Sequence, residues 1–191
     1  MTGEHGAGGP AAGEPAAGPT RPLVVLVGAP GAGKTTVGSL LASRLGVTLR
    51  DTDTDVEAAM GLRVSDIFIE HGEEAFRAAE RAAVAAALAE HPGVLALGGG
   101  AVLAEQTRAV LAGHRVVYLD VDVHEAAKRV GLARDRPLLI EAPRTRLTAL
   151  LRERRPFYEE VATAVVETAG RTPDEVADAV LAALPGVLAE H

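Results

Sequence analysis

GAPGAGKT at positions 28–35 follows directly on the apolar run LVVLV at 23–27, and together these two segments decide the fold. A buried strand that leads into a glycine-rich loop ending in Gly-Lys-Thr is typical of a phosphate-binding P-loop. The glycines let successive backbone N–H groups converge on phosphate oxygens, and the helix that begins near Gly33 adds its positive end. Lys34 is placed to reach the outer phosphates, and Thr35 to offer its hydroxyl to magnesium. The motif predicts nucleotide binding but leaves the acceptor of the phosphoryl group open.

Apolar runs alternate with longer amphipathic segments along the rest of the chain, as in a parallel sheet whose strands are joined by helices. Strands are predicted at 23–27, 48–51, 93–97, 115–119 and 163–167. Helices are predicted at 34–45, 53–60, 64–70, 73–90, 122–130, 144–158 and 173–184. We therefore expect a three-layer, doubly wound α/β fold, with a five-stranded parallel sheet covered by helices on both faces. Its ligand should bind beyond the carboxyl ends of the strands.

Composition narrows the classes of protein that this chain can belong to. Residues 1–22 are rich in glycine, alanine and proline and predict a disordered tail, which leaves 23–191 as a single domain. The formal net charge of −7 disfavours nucleic acid as a partner, and no apolar run is long enough to span a membrane. The chain has no cysteine, so disulfides and thiolate metal sites are excluded. We expect a cytoplasmic protein.

Three aspartates alternate in DTDTD at 51–55. If the chain is extended there, Asp51 and Asp53 share a face, and one could hold Mg²⁺ through water while the other orients or deprotonates an acceptor hydroxyl. Aspartate also favours turns and helix caps, so the triplet has a purely structural interpretation. Asp120, which ends the strand at 115–119 in the manner of a Walker-B aspartate, is a second candidate magnesium neighbour. Spacing does not choose between Asp51 and Asp120.

Two further segments have both a functional and a structural interpretation. Gly98-Gly99-Gly100 follows a predicted strand at its carboxyl end, where glycines permit close backbone approach to a ligand but also form plain turns. Arg77 lies four residues after Glu73 in a predicted helix, a spacing that usually marks a solvated ion pair.

Taken together, these segments resemble the shikimate kinases, a family of small P-loop kinases. The resemblance rests on GAPGAGKTT, DTD, DIF…GEEAFRAAE, LALGGGAV, RPLL, RRPFY and RTP in this order, and it covers nearly everything after the tail. It implies phosphorylation of the 3-hydroxyl of shikimate by ATP with Mg²⁺, a step of aromatic amino-acid biosynthesis. It also implies that shikimate and ATP are the partners and that the enzyme is a monomer.

The resemblance implies a role for each site residue. The catalytic residues are Lys34, Asp53 and Arg136, of which Asp53 is the proposed base. The metal neighbours are Thr35 and Asp51, in preference to Asp120. The substrate-binding residues are Asp53, Arg77, Gly98, Gly99, Gly100 and Arg154, and the two arginines grip the substrate carboxylate. The ATP-binding residues are Gly31, Ala32, Gly33, Lys34, Thr35, Thr36, Arg129, Arg136 and Arg171.

Two further parts of the domain, a substrate-binding segment and a mobile lid, follow from the same resemblance. A helical substrate-binding segment is expected at about 52–80, and a lid at about 131–143 that closes over the phosphates and excludes water. Whether Asp55, Arg134 or Arg155 takes part in the site stays open. A kinase for gluconate or another small metabolite is an alternative, since gluconate also carries a carboxylate. A nucleotide-dependent binding module without turnover is the alternative from another class.

Overall fold

Five parallel strands form the centre of the molecule in the order β2-β3-β1-β4-β5. The computed structural model describes residues 21–131 and 143–188. The strands are β1 Val24–Val27, β2 Leu49–Asp51, β3 Val94–Ala96, β4 Val116–Asp120 and β5 Ala164–Glu167. Each lies where the apolar runs predicted a strand. Since β1 is central, the loop after it opens between the carboxyl ends of β3 and β4.

The helices lie close to their predicted positions. They are α1 Lys34–Leu45, α2 Thr52–Met60, α3 Val64–Glu70, α4 Gly72–Glu90, α5 Glu105–Leu111, α6 Val123–Gly131, α7 Pro143–Val161, α8 Pro173–Ala183 and α9 Pro185–Leu188. The sequence did not predict α5, α9 or the single 3₁₀ turn at Ala101–Leu103. These elements are short, and α5 begins after Ala104, which makes no side-chain cap. By contrast, Thr172 and Glu175 form the predicted capping box of α8.

The main core explains why the central strands are continuous apolar runs. Every residue of β1 and β3 is buried, which requires cover on both faces of the sheet. One apolar cluster joins these strands to side chains of α1, α4, α7 and α8. Burial of this kind is the main favourable contribution to folding, and it fixes the strand ends that carry the loops.

A second, smaller core holds α2, α3 and α4 together. Val56, Ile67 and Phe76 are buried at its centre, and the rings of Phe68 and Phe76 lie 4.5 Å apart. These helices contain the substrate-binding segment predicted at about 52–80. Their packing places the start of α2 and one face of α4 beside the glycine loop after β3.

Two predicted segments fall largely outside the described residues. The tail at 1–22 does so except for its last two residues, and the lid at 131–143 except for its two ends. Among the helices of the described ranges, none is long and apolar enough to cross a membrane.

Candidate active site

The P-loop joins β1 to α1 through a tight turn. Gly28 has φ 151°, and a Cβ there would lie 2.7 Å from the carbonyl oxygen of Leu119 on β4, so a side chain does not fit. Gly33 has φ 88° and directly precedes the first turn of α1. Lys34 bends back over the loop, where its ammonium donates to the carbonyls of Gly28 at 2.8 Å and Ala29 at 3.2 Å. The loop thus holds its cation at the helix N-terminus, as phosphate binding requires.

Asp51 links the P-loop helix to α2. Its Oδ2 accepts a hydrogen bond from the Thr35 hydroxyl at 2.8 Å, and its Oδ1 accepts one from the Asp53 N–H at 3.0 Å. The second bond makes Asp51 the N-cap of α2, so the structural interpretation of the triplet is correct for this residue. The same carboxylate also accepts a hydrogen bond from the Thr35 hydroxyl, so Asp51 caps α2 and contacts the P-loop helix at the same time.

The chain is not extended through DTDTD, so the condition under which Asp51 and Asp53 would share a strand face is not met. The strand ends at Asp51 and the helix begins at Thr52, because the Asp51 cap favours helix at this point. Asp53 therefore lies on the first turn of α2 rather than on the strand face of Asp51. Asp55 pairs with Arg50 at 2.7 Å.

Thr52, between the two aspartates, fixes α2 to the glycine loop after β3. Its side chain is fully buried, and its hydroxyl accepts a hydrogen bond from the Gly98 N–H at 3.0 Å. The Asp53 carboxylate lies so close to Gly98 that a Cβ on this glycine would overlap it. That added Cβ would also come within 2.8 Å of a Glu80 carboxylate oxygen.

Arg77 on α4 forms two ion pairs of different kinds. Its Nη1 donates to Glu80 Oε2 at 2.7 Å, where the Glu80 side chain is only 4% exposed. Its Nη2 lies 3.3 Å from Glu73 Oε1, and that side chain is 67% exposed. The expected pair with Glu73 exists, but the interpretation of Arg77 as part of a solvated face is wrong because Glu80 draws it into the site.

Glu80 is the buried acid of this cluster. Burial raises the pKa of its carboxyl above the usual value, Arg77 opposes that shift, and the negative charge of Asp53 adds to it. The positive charge of Arg154 lowers the same pKa. Glu80 thus interacts with the proposed base and with both proposed carboxylate-binding arginines.

The triple glycine makes room for site side chains. A Cβ at Gly100 would overlap the guanidinium of Arg77, and one at Gly99 would lie 3.0 Å from a ring carbon of Pro30 in the P-loop. The Gly99 carbonyl accepts a hydrogen bond from Arg154 Nη1 at 2.9 Å. Arg77 and Arg154, from different helices, therefore meet at one peptide.

Arg155 and Asp120, both left open by the sequence, pair with each other. Arg155 Nη2 lies 3.1 Å from Asp120 Oδ2, and the Tyr118 hydroxyl donates to Asp120 Oδ1 at 2.9 Å. Burial and the neighbouring Asp120 raise the pKa of Tyr118, which keeps its phenol a donor. Both Asp120 oxygens thus have partners other than Thr35, whereas Arg154 donates to the glycine loop.

The remaining predicted nucleotide contacts lie around the P-loop or beyond the described residues. Arg129 at the end of α6 donates to the Gly31 carbonyl at 3.2 Å. Thr36 is exposed in the first turn of α1, and Arg171 is exposed in the loop before α8. Arg134 and Arg136 lie outside the described residues, so the proposed contact of Arg136 with the phosphates stays a prediction.

Sequence reasoning assigned no role to Thr52 or Glu80. Both lie inside quoted motifs, and the i,i+3 spacing of Arg77 and Glu80 is a signal that could have indicated a pair. Burial of Glu80 depends on the packing of α2 against α4, which spacing within one helix does not report.

A parallel sheet with this strand order, a P-loop after its central strand and an acid–arginine cluster beyond the adjacent strand define a P-loop small-molecule kinase. The chain matches the shikimate kinase family model over residues 30–185. It is 70% identical over 167 residues to the shikimate kinase of Frankia casuarinae, covering 87% of this chain and 74% of that protein. It is 64% identical to the Thermobifida fusca shikimate kinase over 166 residues, covering 87% and 96%.

A solved structure agrees with these sequence relationships. Shikimate kinase from Acinetobacter baumannii in complex with shikimate matches with a TM-score of 0.82 and 36% identity, covering 85% of this chain and 92% of the other. The chain belongs to the shikimate kinase family. It is an enzyme, a phosphotransferase with the P-loop kinase fold.

Proposed function

We propose that this chain transfers the γ-phosphoryl group of ATP to the 3-hydroxyl of shikimate, using the site residues assigned below. The observation that carries the assignment is the meeting of Asp53, Arg77 and Arg154 at the glycine loop after β3, next to the P-loop. One acid and two guanidinium groups there suit a small polyol that carries one carboxylate.

ATP binding is assigned to the P-loop and the residues around it. Residues 31–36 form the end of the P-loop and the first turn of α1, where the helix dipole favours phosphate. Lys34 supplies the positive charge for the outer phosphates. Two further arginines are assigned to the nucleotide on the side of α6 and α8. Arg129 donates to the Gly31 carbonyl, and Arg171 lies in the loop before α8.

The residues present fit a magnesium ion. Thr35 Oγ1 and Asp51 Oδ2 are oxygen donors 2.8 Å apart at the first turn of α1. Within the described ranges, no group of three or more histidine, aspartate or glutamate side chains could hold a metal. This agrees with Mg²⁺, which usually takes one or two protein oxygens and completes its shell with water and phosphate. Bound there, the ion would neutralise charge on the phosphates.

Residues are assigned to both ends of the shikimate molecule, the carboxylate and the 3-hydroxyl. Arg77 and Arg154 hold the carboxylate through charge-assisted hydrogen bonds, and the backbone of Gly98 to Gly100 lets the ring approach closely. Asp53, at the N-terminal turn of α2, accepts the proton of the 3-hydroxyl as the oxygen of that hydroxyl attacks the γ-phosphorus of ATP. Positioning of the acceptor oxygen in line with the leaving oxygen supplies most of the catalysis.

We further propose that the enzyme acts as a monomer. The cysteine-free sequence agrees with work in the reducing cytoplasm.

A coupled assay of ADP release, run with shikimate, with gluconate and without acceptor, tests the function. We expect rapid release only with shikimate, and phosphorus NMR should show the phosphate on the 3-oxygen. Equal release with gluconate would favour the metabolite-kinase alternative. Nucleotide binding without acceptor-dependent ADP release would favour a binding module.

A further inference from the structure

Tyr158 is a buried residue of α7 to which neither the sequence motifs nor the proposed chemistry gives a role. It lies one helical turn after Arg154, on the same helix. Its side chain is fully buried, and its ring stacks on that of Tyr118 with centroids 5.0 Å apart. Its hydroxyl donates a hydrogen bond to the carbonyl of Gly99.

The Gly99 carbonyl is therefore shared by two donors from α7, the Tyr158 hydroxyl and Arg154 Nη1. A peptide group is planar, so the direction of this carbonyl fixes the Gly99–Gly100 peptide as one unit. Arg77 packs directly against the Cα side of Gly100. Both arginines thus lie against one peptide plane.

Three successive glycines cannot hold such a plane unaided. They have no side chains to pack, and glycine has the greatest backbone freedom of any residue. The carbonyls of Gly98 and Gly100 accept backbone hydrogen bonds from the 3₁₀ turn that follows. Two buried side chains restrain the loop further: the Thr52 hydroxyl accepts from the Gly98 N–H, and the Tyr158 hydroxyl donates to the Gly99 carbonyl. The second restraint acts on the peptide that contacts the arginines.

We propose that the Tyr158 hydroxyl is a positioning group for substrate binding, holding the Gly99–Gly100 peptide so that Arg154 and Arg77 converge on the carboxylate of shikimate. The proposal rests on the proposed function of these arginines. Tyr158 acts through Gly99 and is not in contact with the reacting atoms.

The test compares Tyr158→Phe with the matched variant Tyr118→Phe. Each removes one hydroxyl from the same stacked pair of buried rings, but the Tyr118 hydroxyl bonds Asp120 instead of Gly99. We expect Tyr158→Phe to raise the shikimate KM by about tenfold, with little change in kcat or in the ATP KM. Tyr118→Phe should leave the shikimate KM within about twofold of the parent value.

A purely structural role would lower the thermal unfolding midpoint of both variants and leave both KM values alike, and that result would overturn the proposal. Arg154→Ala, measured in parallel, distinguishes failure of the proposed role of Tyr158 from failure of the proposed shikimate site. If it raises the shikimate KM while Tyr158→Phe does not, the role of Tyr158 is refuted and the proposed site stands. If Arg154→Ala leaves the KM unchanged, the carboxylate is held elsewhere and both proposals fail.

A double variant that combines Arg154→Ala with Tyr158→Phe provides a second test of the role of Tyr158. Added to Arg154→Ala, Tyr158→Phe should raise the shikimate KM by less than it does in the parent, since the part of its effect that acts through Arg154 is already lost. The full tenfold increase in that background would contradict the proposal.

Discussion

The guanidinium of Arg77 and the carboxylate of Glu80 form an ion pair of 2.7 Å whose acidic partner is almost completely buried. Its neighbours are the proposed base Asp53 and the second proposed carboxylate-binding arginine, Arg154, both of which influence the Glu80 pKa. A buried acid in this position holds Arg77 in one orientation, and within the described ranges the other guanidinium nitrogens of Arg77 contact only the exposed Glu73.

Glu80→Gln should weaken substrate binding. Glutamine keeps the shape of the side chain but removes the charge from a buried, charge-assisted hydrogen bond, so the shikimate KM should rise by about tenfold with the ATP KM unchanged. Glu73→Gln is the matched control, because Glu73 also contacts Arg77 but is exposed. Its KM should stay within about twofold of the parent value in steady-state assays. Equal effects of both substitutions would show that burial of the pair is unimportant.

The raised pKa of Glu80 makes a prediction for stability. The folded state binds this proton more tightly than the unfolded state, in which the carboxyl has the ordinary glutamate pKa of about 4.5. Stability should therefore fall as pH rises from that value through the folded pKa. Glu80→Gln cannot titrate. Urea unfolding of both proteins from about pH 4 to about pH 8 should show the parent losing stability relative to the variant over this window. A relative gain with rising pH would contradict the assignment.

Asp53→Asn should lower kcat by roughly 10²- to 10⁴-fold, because asparagine cannot accept the proton of the acceptor hydroxyl. ATP affinity, measured by fluorescence or calorimetric titration, should change little. Asp55→Asn serves as the control, since Asp55 pairs with Arg50 and should not affect turnover. Near-parent turnover of Asp53→Asn would refute its role as base.

Asp51→Asn separates capping from metal binding. Asparagine caps helices as well as aspartate does, so the unfolding midpoint should be preserved while the Mg²⁺ concentration for half-maximal activity rises by about tenfold. Asp120→Asn tests the rival assignment, and there we expect no shift in the Mg²⁺ requirement. A shift in Asp120→Asn and none in Asp51→Asn would reverse the two assignments.

Much of the fold was predictable because local patterns of apolar residues and glycines in the sequence determine it. The run at 23–27 is apolar at every position, as a strand buried on both faces must be, and the glycines after it are demanded by the P-loop turn. By contrast, α5 has neither a capping side chain nor a long apolar stripe, and its position follows from packing against α4, α7 and the 3₁₀ turn before it.

The site was predictable by residue type but only partly by geometry. Asp51 and Asp53 were identified, yet their common strand face was wrong because one carboxylate caps the helix that carries the other. Glu80 was missed because its burial arises from contacts between α2, α4 and the glycine loop. Such tertiary contacts turn an ordinary helical ion pair into part of a binding site.

The central claim is that Arg77 and Arg154 hold the carboxylate of the acceptor. The direct measurement is kcat/KM for shikimate and for its methyl ester, with the parent enzyme and with the Arg77→Ala/Arg154→Ala double variant. In the parent, esterification should lower kcat/KM by about a hundredfold, since two charge-assisted contacts are weakened. In the double variant, esterification should lower kcat/KM by less than about threefold. An equal loss in both enzymes would contradict the account.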